Sequence, residues 1–492
     1  MSDSSQPLPD ALSPGVESRP GLLRALGPGM ALAMVVGNVI GSGIFLKPGG
    51  IARDAGDFSL IITAWIVGGV VCIFGALCFA ELAAMLPRAG GLYVYLREAY
   101  GRPVAFLYGW SEFLFGKPAS IGALSVAFVG ALMTVGGWTI GPIGEVALAL
   151  SLIVAMAWIN IVGVIWGGRV QAGTTLIKAG FLGLVALLPF VIEMGGGAGV
   201  DWANYATSVV PKQTTTTMQF AAAMLAVMWA YNGWHGVTPV AEEVRDPGRN
   251  IPLALFGGIG ILILLYVSAN CAYHGVLTML EMSASGETAA QTMIEKLLMP
   301  RGESVARFGV AAMSAVIMCS VFGAINSNML NGPRVSFAMG RDDVFFRGLG
   351  RVHVNYRTPA IAIFVQAVMS SLLVIASAVL VRTVPALAKT NIFGMLTDYV
   401  IFSASIFYVL AVLSVFVLRR KHPEWDRPFR TLGYPVIPIA YVSFYAWFLS
   451  RVYLDKPFEA WTGIVLISLG LPVFYGWKMW SARHPEDVTD GQ

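Results

Sequence analysis

The chain has 492 residues, of which 56% are hydrophobic and only 12% charged. Soluble domains average about 45–50% apolar and about 25% charged residues, so most of this surface does not face water. With 32 Lys and Arg against 28 Asp and Glu, the net charge of +4 implies no polyanionic partner; a soluble enzyme, a disordered regulator and a nucleic-acid binder are excluded as the main body.

Residues 1–25 read as a disordered cytoplasmic tail, because the Pro- and Ser-rich stretch 1–20 lacks the apolar run of a signal peptide. Twelve apolar segments follow, near 26–51, 59–86, 104–133, 142–166, 172–194, 218–244, 251–279, 304–338, 360–381, 391–418, 434–454 and 460–480. Each is long enough to cross about 30 Å of hydrocarbon as a helix. Helices are the default, since lipid offers the backbone no hydrogen-bond partners, and the alternation of barrel strands is absent. The expected organisation is five spans over 26–194, five more over 218–418, two over 434–480 and a second cytoplasmic tail over 481–492. With the N-terminus placed inside, the inner segments carry 20 Lys and Arg and the outer ones 9. That asymmetry orients multi-pass proteins and predicts both termini in the cytoplasm, below a plasma (inner) membrane.

Two spans look broken. The first carries Gly41-Ser42-Gly43-Ile44-Phe45, and the sixth carries Tyr231-Asn232-Gly233-Trp234-His235-Gly236. A small-residue packing face is the plain reading of the glycines. Asn and His beside Gly make an odd packing face, however, and the breaks lie five spans apart. Five is odd, so a five-span repeat must insert in inverted topology, and paired breaks at corresponding positions point to a transport site at the midplane.

An interrupted helix exposes orphan N–H and C=O groups. The half-helix beginning after Gly41 offers N–H groups and a positive dipole end to an anion. The half-helix ends at Val39 and Ile40, and at Trp229 and Ala230, offer carbonyls to a cation. Both signs about one amino acid apart suit a zwitterionic α-amino acid, and a Cβ at Gly41 or Gly43 would hinder the carboxylate. No nucleophile–base–orienter set and no Cys/His cluster is visible, so neither a catalytic residue, a metal nor a cofactor is expected. Cys72, Cys78, Cys271 and Cys319 all lie within apolar runs.

These residues carry a resemblance. Gly-Asn-Val-Ile-Gly-Ser-Gly-Ile-Phe at 37–45 resembles the first-helix motif of the amino acid–polyamine–organocation superfamily. Trp229-Ala230-Tyr231-Asn232-Gly233-Trp234, with Glu242-Glu243-Val244-Arg245-Asp246-Pro247 and Asn250-Ile251-Pro252 after it, is similar to its sixth-helix motif. Within that superfamily the L-type amino acid transporter family matches best. Lys117-Pro118-Ala119-Ser120, Arg169-Val170-Gln171 with Lys178, Phe322-Gly323 through Asn326 and Arg334, and Leu418-Arg419 through Arg427-Pro428 are similar to its motifs, in order.

The resemblance implies an all-α membrane protein with twelve transmembrane helices. Five-plus-five inverted repeats, with helices 1 and 6 broken, are followed by two extra helices. It implies a sodium-independent exchanger of neutral L-amino acids working by alternating access; a proton-coupled symporter on the same fold and an amino-acid sensor or receptor are the alternatives. Val39, Ile40, Gly41, Ser42 and Gly43 would hold the substrate backbone, and Trp229, Ala230 and Asn232 would add carbonyls, Trp229 also closing over the substrate. Eukaryotic members join a heavy subunit through a Cys between helices three and four. The loop 134–142 has none, so no disulfide-linked heavy subunit is expected, and the partners are the amino acid and the bilayer.

Several polar residues stand out within the spans. Lys178 is an ammonium that snorkels to the interface, a fixed cation where sodium-coupled relatives hold sodium, or a group that titrates as a proton carrier; the sequence does not choose between the last two. His235 is a satisfied polar residue, a substrate contact or a pH-sensitive group. Of Asn326 and Asn328, family position favours Asn328 as the one facing the path. Lys117 either meets a substrate side chain or packs beside a carbonyl; Glu112, five residues away, is poorly placed on a regular helix to pair with it. Glu242 and Glu243, beside Arg245 and Arg249, read as solvated or gate ion pairs.

Overall fold

The computed structural model describes residues 22–211, 215–383, 392–455 and 457–483. The expected tails lie outside the described residues except for 22–25 and 481–483. All regular elements among the described residues are helices. Eleven of them are long and apolar enough to cross a bilayer. The remaining expected span, the sixth, is too short to count as one uninterrupted crossing because it divides: Thr216–Tyr231 has 16 residues, and a 3-10 turn, Thr238–Glu243, resumes after a gap. The fold is the expected twelve-span all-α membrane architecture.

Local chemistry sets the ends. Asp57 caps the second span, Phe58–Met85, by accepting the Leu60 N–H at 2.9 Å, which meets one of the orphan donors of a first turn. The fifth span runs over Val164–Met194, well beyond the 172–194 read from hydropathy, and only Gly163 separates it from the fourth, Pro142–Val162. Its first turns carry Gly167, Gly168, Arg169 and Gln171; they lower hydropathy without stopping a helix. Three shorter helices were not legible as spans: Leu92–Tyr100 before the third span, and Met279–Ala284 and Ala289–Leu298 before the eighth.

The first span packs against the fifth, seventh (Pro247–Val276) and eighth (Glu303–Arg341), and the sixth packs against the second, the outer part of the first, and the tenth (Ile392–Lys421). The third span, over 102–136, pairs with the eighth, while the fourth packs on the ninth (Ala360–Thr383). Spans eleven and twelve lie against the tenth. Trp158, Leu187, Leu264 and Phe364 point outward and exposed. In lipid such faces gain nothing by associating, so cohesion rests on close packing and buried polar bridges. Asn326 is one such bridge: it accepts from Asn160 at 2.9 Å and donates to Gln171 at 3.2 Å, tying the eighth span to the fourth and fifth.

Candidate functional site

The first break is short. The helix Pro28–Val39 stops, and Gly43–Leu46 resumes the span after three residues. Its carbonyls are held by other spans. The Ser320 hydroxyl lies 2.9 Å from the Ile40 oxygen and 3.0 Å from that of Gly41. The Tyr266 hydroxyl sits between the carbonyls of Val39 at 3.0 Å and Ala230 at 3.1 Å, so one side chain joins both breaks. The backbone N–H groups of Ser42, Gly43 and Ile44 have no hydrogen-bond partner among the described residues. The Gly43 position has a packing reason as well as the expected one, since a Cβ there would sit 2.5 Å from the Cα of Ala230.

Lys178 is fully buried. Its ammonium donates to the carbonyl of Gly37 and, at 3.4 Å, to that of Ser320. The snorkelling alternative is thereby set aside: the charge lies between the first, fifth and eighth spans, where two carbonyl dipoles replace water.

The second break is longer and folds on itself. Residues 232–237 leave the helix, with Asn232 N–H donating to Trp229 O at 3.0 Å, Gly236 N–H to Gly233 O at 2.8 Å and Thr238 N–H to His235 O at 2.8 Å. Gly233 has φ +94°, a conformation open mainly to glycine. Its carbonyl accepts from Asn38 Nδ2 at 2.7 Å, a second link between the breaks. The Asn232 side chain accepts the Tyr408 hydroxyl at 2.9 Å. His235 is buried among aromatic rings, with centroids of Tyr408, Trp234 and Phe79 at 4.9, 5.4 and 5.9 Å.

Between the breaks lies a cavity of about 40 Å³. Val39, Gly41, Ser42, Gly43, Trp229, Asn232 and Asn328 line it, as do Asn38, Lys117, Ser120, Leu124, Gly233 and Ala324. Three residues named from the sequence are not on the wall: Ile40 and Ala230, whose carbonyls engage Ser320 and Tyr266, and His235, in its aromatic cage. Asn38, Ser120 and Leu124 were missed; each is one helical turn or less from a motif residue, which is the signal that would have found them. Ser42 Oγ and Asn38 Oδ1 are buried without a partner among the described residues. Buried polar atoms are nearly always satisfied, so these two are available to a molecule that enters the cavity.

A local irregularity corrects the expectation for Glu112. Residues Glu112–Gly116 form a π-helical turn inside the third span, which brings positions five apart onto one face. Glu112 and Lys117 form an ion pair at 3.5 Å, and Lys117 also donates to Asn328 Oδ1 at 3.4 Å. Beyond the cavity, at the end of the sixth span, Glu243 is fully buried with Arg334 at 2.9 Å. Glu242 is nearer the surface; it holds Arg341 at 3.1 Å and the Ala89 N–H at 3.0 Å.

A family model described as amino acid permease matches residues 26–469. The chain belongs to the amino acid permease family. This permease is 32% identical over 460 residues to the serine/threonine exchanger of Bacillus subtilis, covering 93% of this chain and 98% of that one. It is 30% identical over 474 residues to the large neutral amino acids transporter small subunit 2 of Homo sapiens, covering 95% and 83%. Over 467 residues it is 29% identical to the Asc-type amino acid transporter 1 of Mus musculus, covering 94% and 83%. The permease is an integral multi-pass membrane protein that transports amino acids, and it is not an enzyme.

Proposed function

We propose that this permease exchanges neutral L-amino acids across a plasma (inner) membrane, independently of sodium. The observation that carries the reading is the pairing of the N–H groups of Ser42 and Gly43 on the wall of one small cavity, with that of Ile44 next in line, with the carbonyl ends of the first and sixth spans at Val39 and Trp229. The N–H groups and Ser42 Oγ hold the substrate carboxylate; the carbonyls of Val39 and Trp229, each with a second lone pair, take the ammonium. Gly41, Gly43 and Asn232 shape the wall, Asn328 faces the side chain and Trp229 closes over it. Lys178 occupies the place of a coupling cation. The two repeats span 26–194 and 218–418 and rock about this site. Two of the relatives' names, which speak of serine/threonine exchange and of large neutral amino acids, support a neutral substrate and an exchange mode.

The test is uptake of labelled amino acids into proteoliposomes, with and without internal amino acid and with and without sodium. Uptake that needs internal substrate, ignores sodium, and is competed poorly by amines lacking the carboxylate or acids lacking the amine is expected. Sodium-dependent uptake, or equal competition by a decarboxylated analogue, would remove the reading; uptake into empty vesicles driven by an inward proton gradient would favour a symporter. The membrane orientation has its own check. Val354 is 75% exposed and Val210 96%; a Val210→Cys protein should react with an impermeant thiol reagent outside intact cells and a Val354→Cys protein should not. Neither variant depends on a heavy subunit, and none linked by a disulfide is expected.

A further inference from the structure

The wall of the cavity opposite the helix ends carries a charge that the transport of a neutral substrate leaves unexplained. Lys117 lines the cavity, and a bare ammonium there would favour an acidic side chain. It is not bare. The π-helical turn Glu112–Gly116 carries the Glu112 carboxylate back to within 3.5 Å of Nζ, with the two side chains 12% and 15% exposed. Gly116 makes this possible, since a Cβ there would lie 2.5 Å from Glu112 Oε1. Glu112 itself does not line the cavity. Asn328 Oδ1 accepts a Lys117 proton at 3.4 Å. An ammonium has three donors, so even with one turned toward Glu112 another remains for the cavity.

We propose that Glu112 is a specificity-determining positioning residue, which neutralises and orients Lys117 so that the site takes small neutral amino acids bearing an oxygen acceptor, such as a hydroxyl, and rejects acidic ones. The proposal rests on the amino acid reading of the cavity and names the substrate class within it. A substrate hydroxyl accepts a remaining Lys117 proton without disturbing the pair. A substrate carboxylate at the same place meets Glu112 as a like charge, which is costly in a water-poor site. A cationic side chain meets Lys117. The cavity is small in this conformation, about 40 Å³, which favours a short side chain.

The experiment measures inhibition of labelled serine counterflow by unlabelled serine and by aspartate in proteoliposomes. It compares the unmodified protein, Glu112→Gln, and Glu112→Gln combined with Lys117→Met. Glu112→Gln unmasks the ammonium, so the ratio of aspartate to serine affinity should rise by about tenfold or more. The double variant should lose that gain, which a merely structural pair would not produce. If Glu112→Gln abolishes counterflow, thermal stabilisation of the purified protein by serine and by aspartate gives the same ratio. A folded Glu112→Gln protein whose ratio is unchanged by either readout overturns the proposal, as does a gain that persists without Lys117. An unmodified protein that moves no amino acid would instead defeat the functional reading itself.

Discussion

The two breaks face one cavity and are built in opposite ways. The first departs from helical geometry for three residues, and what holds it comes from elsewhere: Ser320 on the eighth span, Tyr266 on the seventh, Lys178 on the fifth. The second departs for six residues and closes its own turns, with one glycine at φ +94°; Asn38, Phe79 and Tyr408 from other spans pack onto turns that are already made. The difference assigns them different tasks. A break stabilised by three other spans registers movement of those spans, whereas one that is locally encoded keeps its shape while its neighbours move. Rocking of one repeat against the other would therefore be felt first at residues 37–43.

If the second break is locally encoded, changing its glycine should do the most damage of any single substitution. A side chain at Gly233 meets both an unfavourable φ and Asn38 Nδ2 at 2.2 Å. A left-handed backbone costs a non-glycine residue about 1–2 kcal/mol and overpacking about 1–3 kcal/mol. Gly233→Ala is predicted to destabilise the protein by roughly 2–5 kcal/mol and to abolish uptake. A normal melting temperature with normal transport would show that the second break is held from outside after all.

Lys178→Ala removes the charged external support of the first break. Hydrogen bonds to a charged group contribute about 1.5–3 kcal/mol each, and here the carbonyl of Gly37 would be left buried without its donor. Transport is predicted to fall by at least about tenfold, with amide exchange rising in peptides over 36–46 and unchanged over 229–239. Equal loosening of both breaks would erase the contrast between them. Rescue of transport by sodium would add support for the ammonium as a stand-in for that ion.

The legibility of the site follows the same division. The second break was visible as a cluster of Asn, Gly and His in an apolar run, because its geometry is written locally. The first break was visible only as Gly41-Ser42-Gly43; its partners Ser320 and Tyr266 lie some 280 and 227 positions away, and nothing in a Ser or Tyr within a span says which carbonyl it will meet. The span count was legible from hydropathy alone, since lipid thickness sets the length. The π turn at Glu112–Gly116 was not: it changes the helical period, and the i to i+4 rule that argued against a Glu112–Lys117 pair presumes a constant one. His235 stayed open in the sequence between a satisfied polar residue, a substrate contact and a pH-sensitive group, because only tertiary packing turns it among Phe79, Trp234 and Tyr408.

Ser320→Ala should sharpen the picture with a smaller effect than Lys178→Ala. The hydroxyl is neutral and shared between the carbonyls of Ile40 and Gly41, so its loss leaves one buried acceptor unmet, at about 1–3 kcal/mol. A drop in melting temperature, with faster exchange confined to 36–46 and serine affinity weakened severalfold, is expected. An unchanged exchange pattern would mean that Tyr266 and Lys178 suffice to hold the first break.

The smallest change should come from Tyr408→Phe. Its hydroxyl donates to Asn232 Oδ1, a long-range tie on the wall of the second break alongside that of Asn38 to the Gly233 carbonyl. Asn232 is half-buried and lines the cavity, so water can take over the lost bond, and an ordinary hydrogen bond contributes only about 0.5–1.5 kcal/mol. The ring of Phe would keep the edge contacts with His235 and Trp234. The predicted outcome is an unchanged exchange pattern over 229–239 and a loss of uptake of no more than about tenfold. Collapse of transport with faster exchange across that segment would show that Tyr408 does for the second break what Ser320 does for the first, and that both are held by their neighbours.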